Sequence, residues 1–123
     1  MSRSTIFLAG TVVSLVLAHG AAGEPFARNP VTEIKPLLIQ AIEQGSARGV
    51  LVGEAAIYVR QKFDSSTPIE IDVRSLHALP EAGCSRLEVT TRQKDVLEKT
   101  KRDDKELIYQ VSYCRDGHFP DKR

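Results

Sequence analysis

Apolar and polar residues alternate most regularly in the C-terminal third of the chain, between Gly83 and Asp116. Two segments there have a period of two. Laid antiparallel with Cys84 facing Cys114, they also set Leu87 against Val111, Val89 against Tyr109 and Thr91 against Leu107. This pairing superposes both apolar faces, whereas a slip of one residue would set the apolar side of one strand on the polar side of the other. The cysteines have the opposite parity, so a bridge between them closes the outer side of the hairpin's open end. Tyr109 and Tyr113 share the parity of Leu107 and Val111 and are expected in the core. Gln93 to Lys105, densely charged, reads as the solvated connection, with a short helical turn at Val96 and Leu97. Upstream, Ile69-Glu70-Ile71-Asp72-Val73 alternates cleanly and predicts a third strand. Ser75 to Ala82 reads as the loop that follows it.

The periodicity changes before residue 64. Ile34, Leu37, Leu38, Ala41 and Ile42 recur at helical spacing, with Thr32 as N-cap and Glu33 in the first turn. Pro36 falls early enough to be tolerated. A break is expected at Gln44-Gly45-Ser46. A second helical run is predicted from Ala47 to Phe63, with Val50, Leu51, Ala55, Tyr58, Val59 and Phe63 on one side. Gly45, Gly49 and Gly53 would then line one stripe of that helix, a close-approach groove for another backbone. The backbone that fills it belongs either to a partner or to the first helix or sheet of the same molecule. Asp64-Ser65-Ser66-Thr67-Pro68 ends the run as a turn.

Together these elements predict an α+β domain: two N-terminal helical stretches packed on a three-stranded antiparallel meander with one disulfide. One sheet face has enough apolar residues to be covered. The other, bearing Glu70, Asp72, Arg86, Glu88 and Thr90, is expected to be wet.

The first 23 residues change the picture of where this domain works. Arg3 is followed by an apolar run from Ile6 to Ala18 and small residues at Gly20, Ala21, Ala22 and Gly23. That layout predicts a secretory signal cleaved after Ala22 or Gly23, leaving residues 24–123 as the domain. The run is shorter than the ~20 residues of a spanning helix, so no membrane association is expected after cleavage. Losing Arg3 takes the Lys/Arg count from 17 to 16, against 16 Asp/Glu. A balanced chain has no electrostatic footprint for nucleic acid. Two cysteines in an exported chain point to one disulfide, Cys84–Cys114. The expected location is periplasmic or secreted.

Few residues suggest chemistry. Beyond the leader the histidines are His77 and His118, and neither accompanies a nucleophile–base motif. Glu70/Asp72 and Asp103-Asp104 sit in solvated patterns without the apolar surroundings that would tune one for acid–base work. His77, Cys84, Cys114 and His118 could form a two-cysteine, two-histidine tetrahedron at one end of the sheet. Oxidation favours the bridge instead, with both histidines as surface residues. The expectation is no catalytic residue, no metal and no cofactor. Phe119, between His118 and Pro120, is either an exposed anchor for a partner or packed over the disulfide. Gly49, Gly53 and Phe119 are the candidate partner-binding residues.

The glycine-spaced stretch from Gly45 to Phe63, with Gly83-Cys84 and the ending Tyr113-Cys114-Arg115-Asp116-Gly117-His118-Phe119-Pro120, resembles small exported accessory proteins of conjugative-transfer and type IV secretion gene clusters. The resemblance implies a periplasmic helper and transfers no site residues. The functional expectation is a non-enzymatic accessory or adaptor protein binding another envelope or secreted protein. The alternative is a secreted inhibitor or toxin-like effector.

Overall fold

A computed structural model describes residues 27–120. The predicted leader lies outside the described residues. Seven elements follow in the order β1 (Asn29–Val31), α1 (Lys35–Gln44), β2 (Ser46–Leu51), α2 (Glu54–Lys62), β3 (Glu70–Ala78), β4 (Cys84–Glu98) and β5 (Lys101–Cys114). The strands form one five-stranded sheet in that same order, with β1 and β2 parallel and every other pair antiparallel. Two expectations are therefore corrected. The sheet is mixed and five-stranded instead of a three-stranded meander, and the helices alternate with strands instead of preceding them.

The first helix follows its predicted apolar spacing. Leu37, Leu38 and Ala41 are buried, with Ile34 and Ile42 packed beside them. Its N-cap is Ile34 instead of Thr32, without a side-chain cap, and Pro36 occupies the first turn, where a missing N–H costs nothing. Gly45 ends it in the left-handed region, at φ 96°, and donates its N–H to the Ala41 carbonyl at 2.8 Å. Parallel neighbours such as β1 and β2 need a crossover, and α1 is that crossover. It is thereby laid on the sheet, over the side chains of Ala47, Ile71, Val73, Leu87 and Val89.

The predicted helix from Ala47 to Phe63 is two elements. Residues 46–51 pair with β3 and leave the helix to start at Glu54. The glycines therefore do not share a helical stripe. Gly49 is in β2, where an added Cβ would lie 2.6 Å from Leu37 Cδ1. Gly53, at φ 86°, precedes α2, and a Cβ there would approach Thr32 Cγ2 to 3.2 Å. Close approach is real at both positions, and the approaching groups belong to the same chain.

The hairpin register matches the alternation residue for residue: Cys84 faces Cys114, Leu87 faces Val111, Val89 faces Tyr109 and Thr91 faces Leu107. The disulfide joins Cys84 and Cys114. What was expected as a loop from Gln93 to Lys105 is strand almost throughout. A bulge interrupts pairing between Gln93 and Val96, with Asp95 at φ 56°, and the hairpin turns only at Lys99 and Thr100. Likewise β3 runs through Ser75 to Ala78, with a bulge between Ser75 and His77.

Candidate functional site

Among the described residues, strand β5 is the last in the sheet, hydrogen-bonded to β4 on one side and to no strand on the other. The hydrogen bonds at the cysteine end reveal which backbone groups are unpaired. Arg115 donates its N–H inward to the Gly83 carbonyl, while Cys114 donates away from β4, to His118, and Cys84 donates to Glu81. Cys84 and Cys114 are thus a non-hydrogen-bonded pair, and alternation along an antiparallel ladder sends the N–H and C=O of Gln110, Ile108 and Glu106 outward.

Every residue from 101 to 110 is exposed. In the middle of the outward row lie three large apolar residues, Leu107 at 61% exposure, Ile108 at 54% and Tyr109 at 40%. The register explains why both faces contribute. Leu107 and Tyr109 lie on the α1 face opposite Thr91 and Val89, whereas Ile108 lies on the other face opposite Thr90. Leu107 and Tyr109, expected in the core, lie beyond the cover of α1. Tyr113 and Val111 of the same parity meet the core, and Tyr113 is fully buried. An edge normally carries lysines, prolines or a twist that discourages strand addition. Here the charges of Lys101 to Glu106 guard the turn end, and residues 107–109 are left open. The opposite edge of the sheet is β1, only three residues long. A surface hollow of about 480 Å³ adjoins the open stretch, lined among others by Thr67, Pro68, Arg92, Gln93, Lys105 and Glu106.

The face away from α1 is polar, as its alternation predicts. Asp72 accepts hydrogen bonds from Arg28 at 2.8 Å and Arg92 at 2.6 Å. Burial alone would raise the Asp72 carboxyl, but the bonds and charges of the two guanidiniums outweigh it and hold it below its ordinary value. Arg74 pairs with Glu88 at 2.8 Å, and Arg92 with Glu106 at 2.9 Å. These carboxylates are consumed by cross-strand pairing, which is the sheet's own stabilisation.

At the disulfide end, His118 lies between two carboxylates, with Nε2 2.8 Å from Glu81 and Nδ1 bonded to Asp116. Hydrogen bonds to Glu81 and then to Asp116 raise its pKa. His77 is not brought here. It is exposed and its Nδ1 lies near the carbonyl of Ala78. Phe119 is 59% exposed, and its ring meets Tyr113 edge-on at 5.0 Å. No protein-family model, curated protein or solved structure matches the chain. Among the described residues no helix is long and apolar enough to cross a membrane.

The three predicted partner-binding residues do not converge. Gly49 is buried under Leu37, Gly53 begins α2, and Phe119 sits at the cysteine end. The open stretch at Leu107, Ile108 and Tyr109 was legible only as three consecutive apolar residues in a strand, which signals two apolar faces where one suffices.

Proposed function

We propose that this protein is an exported, non-enzymatic binding module that accepts an extended segment of another envelope or secreted protein along the outer edge of β5. The observation behind this reading is the unpaired, outward backbone row through Glu106, Ile108 and Gln110, flanked by exposed Leu107, Ile108 and Tyr109. An added strand gains main-chain hydrogen bonds for affinity, and the three apolar side chains select alternating apolar residues on the partner. A different protein fits this edge better than a second copy. Antiparallel self-pairing centred on Ile108 sets Leu107 against Tyr109 but opposes no unlike charges. The register that sets Arg102 against Glu106 and Asp103 against Lys105 leaves Leu107, Ile108 and Tyr109 opposite Lys101, Thr100 and Lys99, without apolar partners. Export is proposed from the leader pattern together with the disulfide. Service in conjugative transfer or type IV secretion is proposed on the resemblance of residues 45–63 and 113–120.

Site-specific photo-cross-linking tests this reading. A photoreactive residue at Ile108 should capture one envelope protein through an extended segment, and the same residue at exposed Tyr58 of α2 should not. Ile108→Lys, which gives the edge a gatekeeping charge, should retain fold and melting temperature and lose binding of the captured segment. Capture of a soluble enzyme would favour the inhibitor alternative. Capture of the chain's own copy, or equal capture from both positions, would overturn the proposal.

A further inference from the structure

Two turns meet at the cysteine end of the hairpin, and each presents two metal-ligating side chains. The loop before β4 supplies Glu81 and Cys84, three residues apart, and is closed by the Cys84 N–H on the Glu81 carbonyl at 3.2 Å. The turn after β5 supplies Cys114 and His118, four apart. It is closed by Cys114 N–H to His118 at 3.0 Å and Gly117 N–H to Cys114 at 2.9 Å. The Arg115 N–H, on the Gly83 carbonyl at 2.8 Å, ties one turn to the other. One ligand atom from each of Glu81, Cys84, Cys114 and His118 lies within 4.8 Å of all the others.

We propose that reduction of the Cys84–Cys114 bridge converts this corner into a tetrahedral zinc site. Its ligands are the two Sγ atoms, His118 Nε2 and a Glu81 carboxylate oxygen. Tetrahedral zinc with bonds of about 2.0–2.3 Å needs ligand atoms about 3.3–3.8 Å apart. Once the bridge is broken, the two sulfurs must part to that spacing and His118 Nε2 and Glu81 must open from 2.8 Å, on a frame that backbone bonds already hold. Nε2 of His118 faces Glu81 while Nδ1 is held by Asp116. A carboxylate behind the ring is the arrangement that fixes tautomer and orientation in histidine–zinc sites. Asp116 is thus the positioning residue, not a ligand. In the oxidised protein the sulfurs are bonded to each other and the site is closed.

The step balances with a dithiol as reductant. A thiolate of the dithiol attacks one cysteine sulfur, the Cys84–Cys114 bond breaks, and the dithiol's second thiolate displaces the mixed disulfide. The reductant leaves as its own disulfide, having supplied two electrons and two protons. Zinc then replaces the two thiol protons, which pass to solvent. The corner would thereby trade a covalent staple for a metal staple between the same two turns.

Cobalt substitution under anaerobic conditions tests this. Reduced full-length protein, freed of reductant, should bind one Co²⁺ with the d–d bands of a tetrahedral site and a thiolate-to-cobalt charge-transfer band, and Zn²⁺ should displace it. Oxidised protein should show neither band. His118→Ala and Glu81→Ala should each weaken binding at least ~10-fold, and Asp116→Asn by ~10–100-fold. If reduction unfolds the chain, zinc should restore the native near-ultraviolet circular dichroism in the wild type and not in H118A. Absence of tetrahedral bands and of zinc-driven refolding, or affinity unchanged in both H118A and E81A, would overturn the proposal.

Discussion

The two ends of the β4–β5 hairpin obey the same alternation and have opposite fates. At the cysteine end Leu87, Val89 and Tyr113 are fully buried under α1, and the disulfide pins the register. Toward the turn, residues 101–110 of β5 are all exposed. Besides buried Val96 of β4, polar ties hold that end: Lys105 to Glu98 at 2.7 Å, Arg102 to Asp64 at 2.6 Å, and Ser65 and Thr67 hydroxyls to the Lys94 carbonyl at 2.9 and 2.8 Å. Parity decides which residues share a face, and cover decides whether that face is a core. A helix of ten residues is about 15 Å long. It covers β2 to β4 and the Tyr113 end of β5, and stops short of Leu107 and Tyr109. Among the described residues that apolar stretch is therefore left exposed.

Truncation at matched positions should break the comparison most visibly. Leu87→Ala opens a cavity in the core and should cost about 2–5 kcal/mol. Leu107→Ala, on the same face but exposed, should cost no more than about 0.5 kcal/mol. Urea unfolding of both variants measures the difference, and similar losses would mean that the turn end is covered too. The Cys84→Ser/Cys114→Ser double variant releases a loop spanning 30 residues and should lose roughly 3–4 kcal/mol. An unchanged melting temperature would show that the apolar register alone holds the cysteine end.

Gly49→Ala sharpens the account of why α1 sits where it does. With Leu37 Cδ1 only 2.6 Å from the new methyl, the buried Leu37 side chain must shift within a packed core, at a cost of about 1–3 kcal/mol. Stability equal to wild type would mean that Leu37 turns aside freely. The smallest effects are in the pH dependence, and the two faces differ in sign. Asp72 is held below its ordinary value near 3.8, so its contribution is present above that value and lost as pH falls through the depressed one. Asp72→Asn should flatten the acid limb of a melting-temperature profile. His118 is raised above 6.5, so its contribution is fully present below 6.5 and fades as pH rises through the raised value. Glu81→Gln should shrink that alkaline fade, and a profile identical to wild type would contradict the contact.

The hairpin was legible because every term agrees there: alternation, cysteine parity and the wet face opposite. The short strand β2 was not, because Ala47 and Gly49, its inward residues, are small where α1 presses closest, so no apolar alternation marks it. The charged continuation of β4 and β5 reads as loop because its pairing is electrostatic, as in Lys105–Glu98. Of the candidate site, the disulfide was legible. The open edge was not, since exposure of Leu107 and Tyr109 depends on where α1 ends. The corner cluster holds Glu81 and not His77, because β3 continues through Ala78 and carries His77 away.

The central claim is that the outer edge of β5 is open. Residue-resolved hydrogen exchange on dilute, isolated protein tests it directly. The amides of Glu106, Ile108 and Gln110 should exchange at nearly free-peptide rates, while those of Leu107 and Tyr109, bonded to β4, are protected. Protection of all five in the isolated chain would mean that the edge is already covered, leaving no row for a partner strand to join.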